Sequence, residues 1–396
     1  MKQSAEFRLV AACCIRPSSP AREAAILSAA SAPIDWDAFL VAVRRHRVEG
    51  LANDGLRAAG VTMPAPAAEA LAARAAFLLR HNLANAAEEA RLLRTLGDAG
   101  VPVLFVKGTT LAMLAYGSLA LKNAWDIDML VAPDDLGAAC RALAGLGYAR
   151  VLPRPDLPEL HFRRWAARSK ESLWAHHARG VHVELHTALV DNPHLLGAGL
   201  GSPVQQVRIA EGVALPTLGR DALYAYLCVH GTAHAWSRLK WLADVAAFAG
   251  DDEAEIGRLH RAAVALGAGR CSAVALSLCA GLFGTRFAPP ADGATRRLER
   301  TALWALASAA DGTREFGDRP GEALRYFASH FLLSPRWRFK RAELLHKLLF
   351  PYTPGHLALP AWLSLPYTLG RIPAWAWAHR ARRRDQDSAP NTANSR

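Results

Sequence analysis

Residues 101–131 are VPVLFVKGTTLAMLAYGSLALKNAWDIDMLV. A short apolar strand, Val103 to Val106, runs into Lys107-Gly108. A helix-like segment follows, then a second strand carrying Asp126-Ile127-Asp128. Side chains alternate across a strand, so Asp126 and Asp128 share one face while Ile127 and Met129 share the other. Two carboxylates about 7 Å apart on one face repel each other unless a cation lies between them. A divalent metal ion meets that need, and hard oxygen donors favour Mg²⁺ or Mn²⁺. The triplet alone leaves a second reading open, in which both aspartates are solvated residues at a strand end.

A second stretch, Val181-His182-Val183-Glu184-Leu185-His186, alternates cleanly. Val181, Val183 and Leu185 point to a core face, with His182, Glu184 and His186 on the other. Preceded by Glu171–His176 and the Arg179-Gly180 turn, it predicts a β-hairpin.

The central stretch resembles the nucleotidyltransferase superfamily that includes DNA polymerase β and the aminoglycoside nucleotidyltransferases. Their shared pattern is a glycine-containing turn, a helix, and Asp-hydrophobic-Asp on the next strand. More narrowly, Lys107-Gly108, Leu111, Tyr116, Asp126-Ile127-Asp128 and Leu130-Val131 resemble the bacterial uncharacterised nucleotidyltransferase family. The resemblance extends from Trp36-Asp37 and His46-Arg47-Val48 to the proline-rich C-terminal segment. There are two departures. Gly108 is followed by Thr109 and lies further upstream of the aspartates than the superfamily's Gly-Gly or Gly-Ser. Lys122 stands where the narrow family tends to have arginine, which keeps the charge but loses the bidentate fork for phosphate.

The resemblance implies an α/β (α+β) polymerase-β-like core with a small mixed sheet, flanked by helical domains. It implies transfer of a nucleoside monophosphate from an NTP, ATP before others, to a small-molecule, saccharide or peptide acceptor rather than nucleic acid. Asp126, Asp128 and Glu184 are the expected catalytic and metal-holding carboxylates, Glu184 being the third carboxylate such enzymes supply from a downstream strand. Lys107, Gly108, Thr109, Lys122 and Lys170 are the expected nucleotide contacts, with His186, His234 and Arg238 on the acceptor side. The expected divisions are a helical region over 1–98, the core over 99–190, a helical domain over 191–350, and a Pro/aromatic-rich segment with a polar tail over 351–396.

Length and composition fit this reading without selecting it. With 396 residues and 52% hydrophobic content, the chain can bury a sizeable core in two or three domains. A net charge of +12 favours anionic partners, whether nucleotides, nucleic acid or acidic membrane surfaces. The cysteines form no CxxC pair, so neither a zinc site nor a disulfide framework is indicated, and a reducing cytoplasm fits. The apolar run Leu9 to Ile15 is too short for a signal peptide, and no uninterrupted apolar run is long enough to span a membrane.

Before the core, Trp36, Phe39, Leu40 and Val43 recur at helical spacing. A long helix is expected from Pro66 to Gly97, and Asn82 and Asn85 within it either face the site or, as is commoner for mid-helix asparagine, face solvent. After the Asp-Ile-Asp strand, Asp134 or Asp135 is expected to cap a helix over Leu136 to Leu146, stopped by Gly147. The basic run 159–170 reads either as a phosphate clamp or as a solvated helix face. From Asp221 the chain is helical again. His230 and His234 are four apart and, with Arg238, Lys240 and Asp244, either line the base or acceptor side of the cleft or tie helices together. Residues 351–378 are apolar but broken by prolines. Trp375 and Trp377 there precede the basic run His379–Arg384, which allows weak peripheral membrane contact beside simple packing. Residues 385–396 are too polar to offset their ordering entropy. Two rival functions stay open: a catalytically silent nucleotide- or partner-binding protein of the same fold, and a basic module for polyanions or membrane surfaces.

Overall fold

The structure is a computed structural model that describes residues 3–307 and 320–349. The aromatic segment with Trp375 and Trp377, and the polar tail, lie outside those residues. Five helices come first: α1 (Ala5–Cys13), α2 (Ala21–Ala30), α3 (Trp36–His46), α4 (Glu49–Ala58) and the 34-residue α5 (Ala65–Asp98). The α/β part follows as β1 (Leu104–Phe105), α6 (Gly108–Tyr116), β2 (Ile127–Leu130), α7 (Leu136–Gly145), β3 (Ala149–Leu152), α8 (Glu159–Ala166), β4 (Glu171–His176) and β5 (Val181–His186). A second hairpin, β6 (Val204–Ala210) and β7 (Val213–Leu218), leads into α9 (Arg220–Ala233) and α10 (Leu239–Ala249). The remaining described helices are α11 (Glu253–Ala265), α12 (Gly269–Phe283), α13 (Gly293–Ala307), α14 (Pro320–His330) and α15 (Trp337–Leu349). None of the described helices is long and apolar enough to cross a membrane.

The five-stranded sheet has the order β1-β2-β5-β4-β3. Only β2 and β5 run parallel; every other neighbouring pair is antiparallel. This is the small mixed sheet flanked by helices that the sequence implies. Its reverse face carries Ile127, Met129, Val183, Leu185 and Trp174, all buried against Leu92 and Leu96 of α5 and Ala139 and Leu143 of α7. Full burial of each large aliphatic side chain there contributes roughly 1.5–3 kcal/mol. A larger core joins α1, α3 and α4 to α9, α10 and α12, so the N-terminal helices share one apolar interior with the downstream ones.

Local signals place most boundaries. Pro66 sits in the first turn of α5, where a missing N–H costs nothing. Asp35 caps α3, its Oδ1 accepting from the Ala38 N–H at 3.0 Å. The expected aspartate cap of α7 does not form: Pro133–Asp135 make a 3₁₀ turn instead, and Asp135 makes no side-chain capping bond.

Asn82 and Asn85 are a clearer departure from expectation, being buried rather than solvent-facing. Asn82 Nδ2 donates to the carbonyls of Leu119 (2.6 Å) and Lys122 (2.7 Å), and Asn85 Nδ2 donates to Ala124 O at 3.0 Å. His81 Nε2 lies 2.9 Å from Trp125 O, and the two rings stack 4.7 Å apart. One face of α5 therefore supplies the hydrogen bonds that the irregular segment between α6 and β2 cannot make to itself. Asn82→Ala should lower the unfolding free energy by about 2–3 kcal/mol, because two buried carbonyls lose their donor. Asn82→Leu, which fills the space without donating, should not recover it. The denaturant midpoint at unchanged slope reads the effect.

Candidate active site

The pairing register assembles the site. In β2 and β5 Asp128 stands opposite Glu184, and Leu130 opposite His186. Between β5 and β4, His186 stands opposite Glu171. Residues two apart on a strand, and partners across strands, share a face, so Asp128, Glu184, His186 and Glu171 converge on the sheet's polar side. The ligand atoms of Asp128, Glu184 and His186 lie within 4.8 Å of one another. Asp126 precedes β2 by one residue and is half-buried. It lines the same cleft of about 300 Å³, together with Asp128 and Glu184. His182 shares their strand face but is exposed.

The turn after β1 brings Lys107 to this face. Gly108 has φ +62°, and a Cβ there would lie 3.3 Å from Glu89 Oε1, so both backbone conformation and space call for glycine. Lys107 Nζ sits 2.8 Å from Asp128 Oδ1. Thr109 faces the other way: it is fully buried, and its hydroxyl donates to the Glu89 carboxylate of α5. Lys107 and Gly108 line the cleft; Thr109 is not among its walls.

The remaining expected contacts are distributed unevenly. Lys122 borders the cleft, but its Nζ is held 2.5 Å from Asp244 Oδ2 of α10, and Tyr116 Oη donates to the other oxygen at 3.0 Å. Lys170 borders the cleft and pairs with Glu171. His234 lines the cleft and stacks on Trp241 at 5.1 Å. Arg238 is buried and is not among the residues lining the cleft, its Nη1 donating to Arg45 O at 3.3 Å. Glu171 and Glu89 carry no motif, and only their tertiary neighbours reveal their positions.

The electrostatics centre on Asp128, which is 4% exposed. Burial alone would raise its carboxyl, but Lys107 and His186 outweigh that and hold it well below the usual range. Burial would also push the fully enclosed His186 toward neutrality. Hydrogen bonds from Nε2 toward Asp128 (3.2 Å) and Glu184 (3.5 Å), with Glu171 3.3 Å from Nδ1, carry it instead up to about 9. Burial raises Glu184 above its ordinary value, with Asp128's charge adding to the effect. The cation that the paired carboxylates require is thus supplied by the chain itself, as a lysine and an imidazolium. The donor set also fits a divalent ion. Carboxylate oxygens of Asp128 and Glu184 face one cleft above His186, and among the described residues Asp126 has no hydrogen-bond or ion-pair partner.

A histidine held near 9 when folded and near 6.5 when unfolded stabilises the fold fully below pH 6.5 and loses that contribution as pH rises through 9. About 3 kcal/mol is at stake. Urea unfolding of metal-free protein at pH 6 and pH 9.5 should show this decline, and His186→Gln should remove that portion of it.

No curated protein and no solved structure matches the chain. A family model described as an uncharacterised nucleotidyltransferase matches residues 32–284, from just before α3 to the end of α12. That range is more than half of the chain and includes the Lys107-Gly108 turn, the two aspartates, Glu184 and the helical wall of the cleft. The chain therefore belongs to the uncharacterised nucleotidyltransferase family.

Proposed function

We propose that this nucleotidyltransferase moves a nucleoside monophosphate from an NTP, ATP before others, to a hydroxyl or phosphate of a small-molecule, saccharide or peptide acceptor, in a reaction dependent on Mg²⁺ or Mn²⁺. The observation that carries this reading is the direct pairing of Asp128 with Glu184 across parallel strands, with Asp126 in the same cleft. A cleft of about 300 Å³ suits a small acceptor better than a duplex.

Asp126, Asp128 and Glu184 would hold the ion, with His186 beneath them. When bound, the ion would neutralise phosphate charge at the reacting centre. Lys107 and Gly108 border that position and would contact the α-phosphate. The acceptor oxygen bonds to the α-phosphorus while the bond from that phosphorus to the bridging oxygen breaks, and pyrophosphate leaves. The acceptor's proton passes to Glu184, the carboxylate that stands opposite Asp128 across the parallel strands.

One observation favours a second reading. Lys107 already occupies Asp128 at 2.8 Å, which suits a protein that binds nucleotide without turning it over. Incubation with Mg²⁺ and each labelled NTP, assayed for pyrophosphate with candidate acceptors, separates the two. Nucleotide binding without pyrophosphate release would leave the silent reading standing.

Asp126→Asn and Asp128→Asn should each lower metal-dependent turnover by a factor of about 100 or more. Retention of wild-type transfer by both would remove the proposed metal site. The two should differ in stability. Asp126→Asn should leave the fold intact, whereas Asp128→Asn strips Lys107 and His186 of their shared counter-charge and should lower the melting temperature. Glu184→Gln should abolish turnover yet keep NTP affinity, as read by equilibrium dialysis.

A further inference from the structure

The cleft contains two classes of cation. Lys107 is paired with Asp128, Lys122 with Asp244 and Lys170 with Glu171. Arg47 and Lys240 also line the cleft, and among the described residues no carboxylate pairs with either. Their neighbourhood is fixed by the backbone. His46 Nδ1 accepts from the Leu239 N–H at 3.3 Å, and Arg238 donates to Arg45 O. Residues 47 and 240 lie one step further along each segment, and both line the cleft, in the part where the charges of Lys122, Arg47 and Asp126 reach Lys240.

Both positions are unfavourable in the absence of an anion. Arg47 ends α3 in the left-handed region, φ 54° and ψ 51°, a conformation that strains an arginine and that glycine adopts freely. Lys240 lies in the first turn of α10, where the helix dipole repels a cation. Burial, then the charges of Lys122 and Arg47, depress its ammonium to about 7. Meanwhile the turn expected to receive phosphates has little left to offer them: Lys107 is engaged by Asp128, and Thr109 faces Glu89.

We infer that Arg47 and Lys240 form the cradle for the terminal phosphates of the nucleoside triphosphate, and so hold the departing pyrophosphate. This inference rests on the reading that the cleft takes an NTP. The charges match once the anion is bound: a magnesium-bound triphosphate carries about two net negative charges at neutral pH, and Arg47 with a Lys240 that the anion draws back to its protonated form supplies two positive ones. With the β- and γ-phosphates in this part of the cleft, the α-phosphate lies toward Asp126 and Asp128, where transfer is proposed. The cradle is built between α3 and α10, elements outside the sheet, and so links the N-terminal helices to the chemistry.

Magnesium tripolyphosphate, which has no base or sugar, tests the cradle by calorimetry on the full chain whatever the nucleotide. The wild type should bind it. Arg47→Gly and Lys240→Gln should each weaken binding at least about tenfold, and Arg47→Lys should recover most of the loss. Arg47→Gly also relieves the left-handed backbone, so its melting temperature should not fall, which separates lost binding from lost folding. Arg163→Gln, an equal change in net charge on exposed α8, should bind as the wild type does. Failure of the wild type to bind, or wild-type affinity in both Arg47→Gly and Lys240→Gln, overturns the inference. Loss of orthophosphate binding with tripolyphosphate affinity intact also overturns it, assigning this part of the cleft to a singly phosphorylated acceptor. Weakened tripolyphosphate binding in a protein that transfers no nucleotide would support the cradle while removing the catalytic reading.

Discussion

A carboxylate kept ionised at 4% exposure is expensive, and Asp128 is surrounded by what makes it tolerable. Lys107 comes to it from the turn after β1, and His186 from two residues beyond its pairing partner on β5. Glu184 and Glu171 then balance the imidazolium, and Lys170 balances Glu171. The result is an alternating lattice of charges in which each member is a reason for the next. Such a lattice orients its side chains before any ligand arrives, which is what chemistry at a phosphate needs most.

The sheet presents this lattice, but α5 keeps its edges in place. Its buried polar residues grip the loop between α6 and β2 through Asn82 and Asn85, and the turn at Gly108 through Glu89. Glu89 is raised by burial to about 8, in keeping with a carboxyl that serves the backbone rather than solvent. Next to it, Glu88 accepts from Tyr148 at 2.7 Å and ties the helix to the residue just before β3. A helix this long is an ordinary outcome of an alanine-rich sequence. Its polar residues facing inward are not.

That contrast marks what could be read from the chain. Period-two alternation located β5 and its polar face, and the turn-helix-strand order located β1, α6 and β2. Both signals are local. The helical flanks were legible from spacing and from Pro66. The partners of each charge were not, because Asp244 lies 122 residues from Lys122 and Glu89 lies 20 from Thr109. Nothing short-range distinguishes a buried mid-helix asparagine from a solvated one. The β6–β7 hairpin was silent for a related reason: β6 has only Val207 fully buried, too little alternation to register. Asp126 and Asp128 read as equivalent in sequence, yet one is buried in the charge lattice and the other borders it, because the strand begins between them.

The parallel pairing of β2 with β5 also bears on how the protein is made. Parallel neighbours cannot be joined by a tight turn, and here the chain leaves β2 at residue 130, builds α7, β3, α8 and β4, and returns at residue 181. The excursion must close before Asp128 meets Glu184, and closing long loops is slow. On an emerging chain, Asp128 is synthesised well before His186, the counter-charge that reaches it from β5. Lys107 precedes Asp128 in the chain, so of the two cations that hold the aspartate in the finished site it is the one already made when Asp128 emerges.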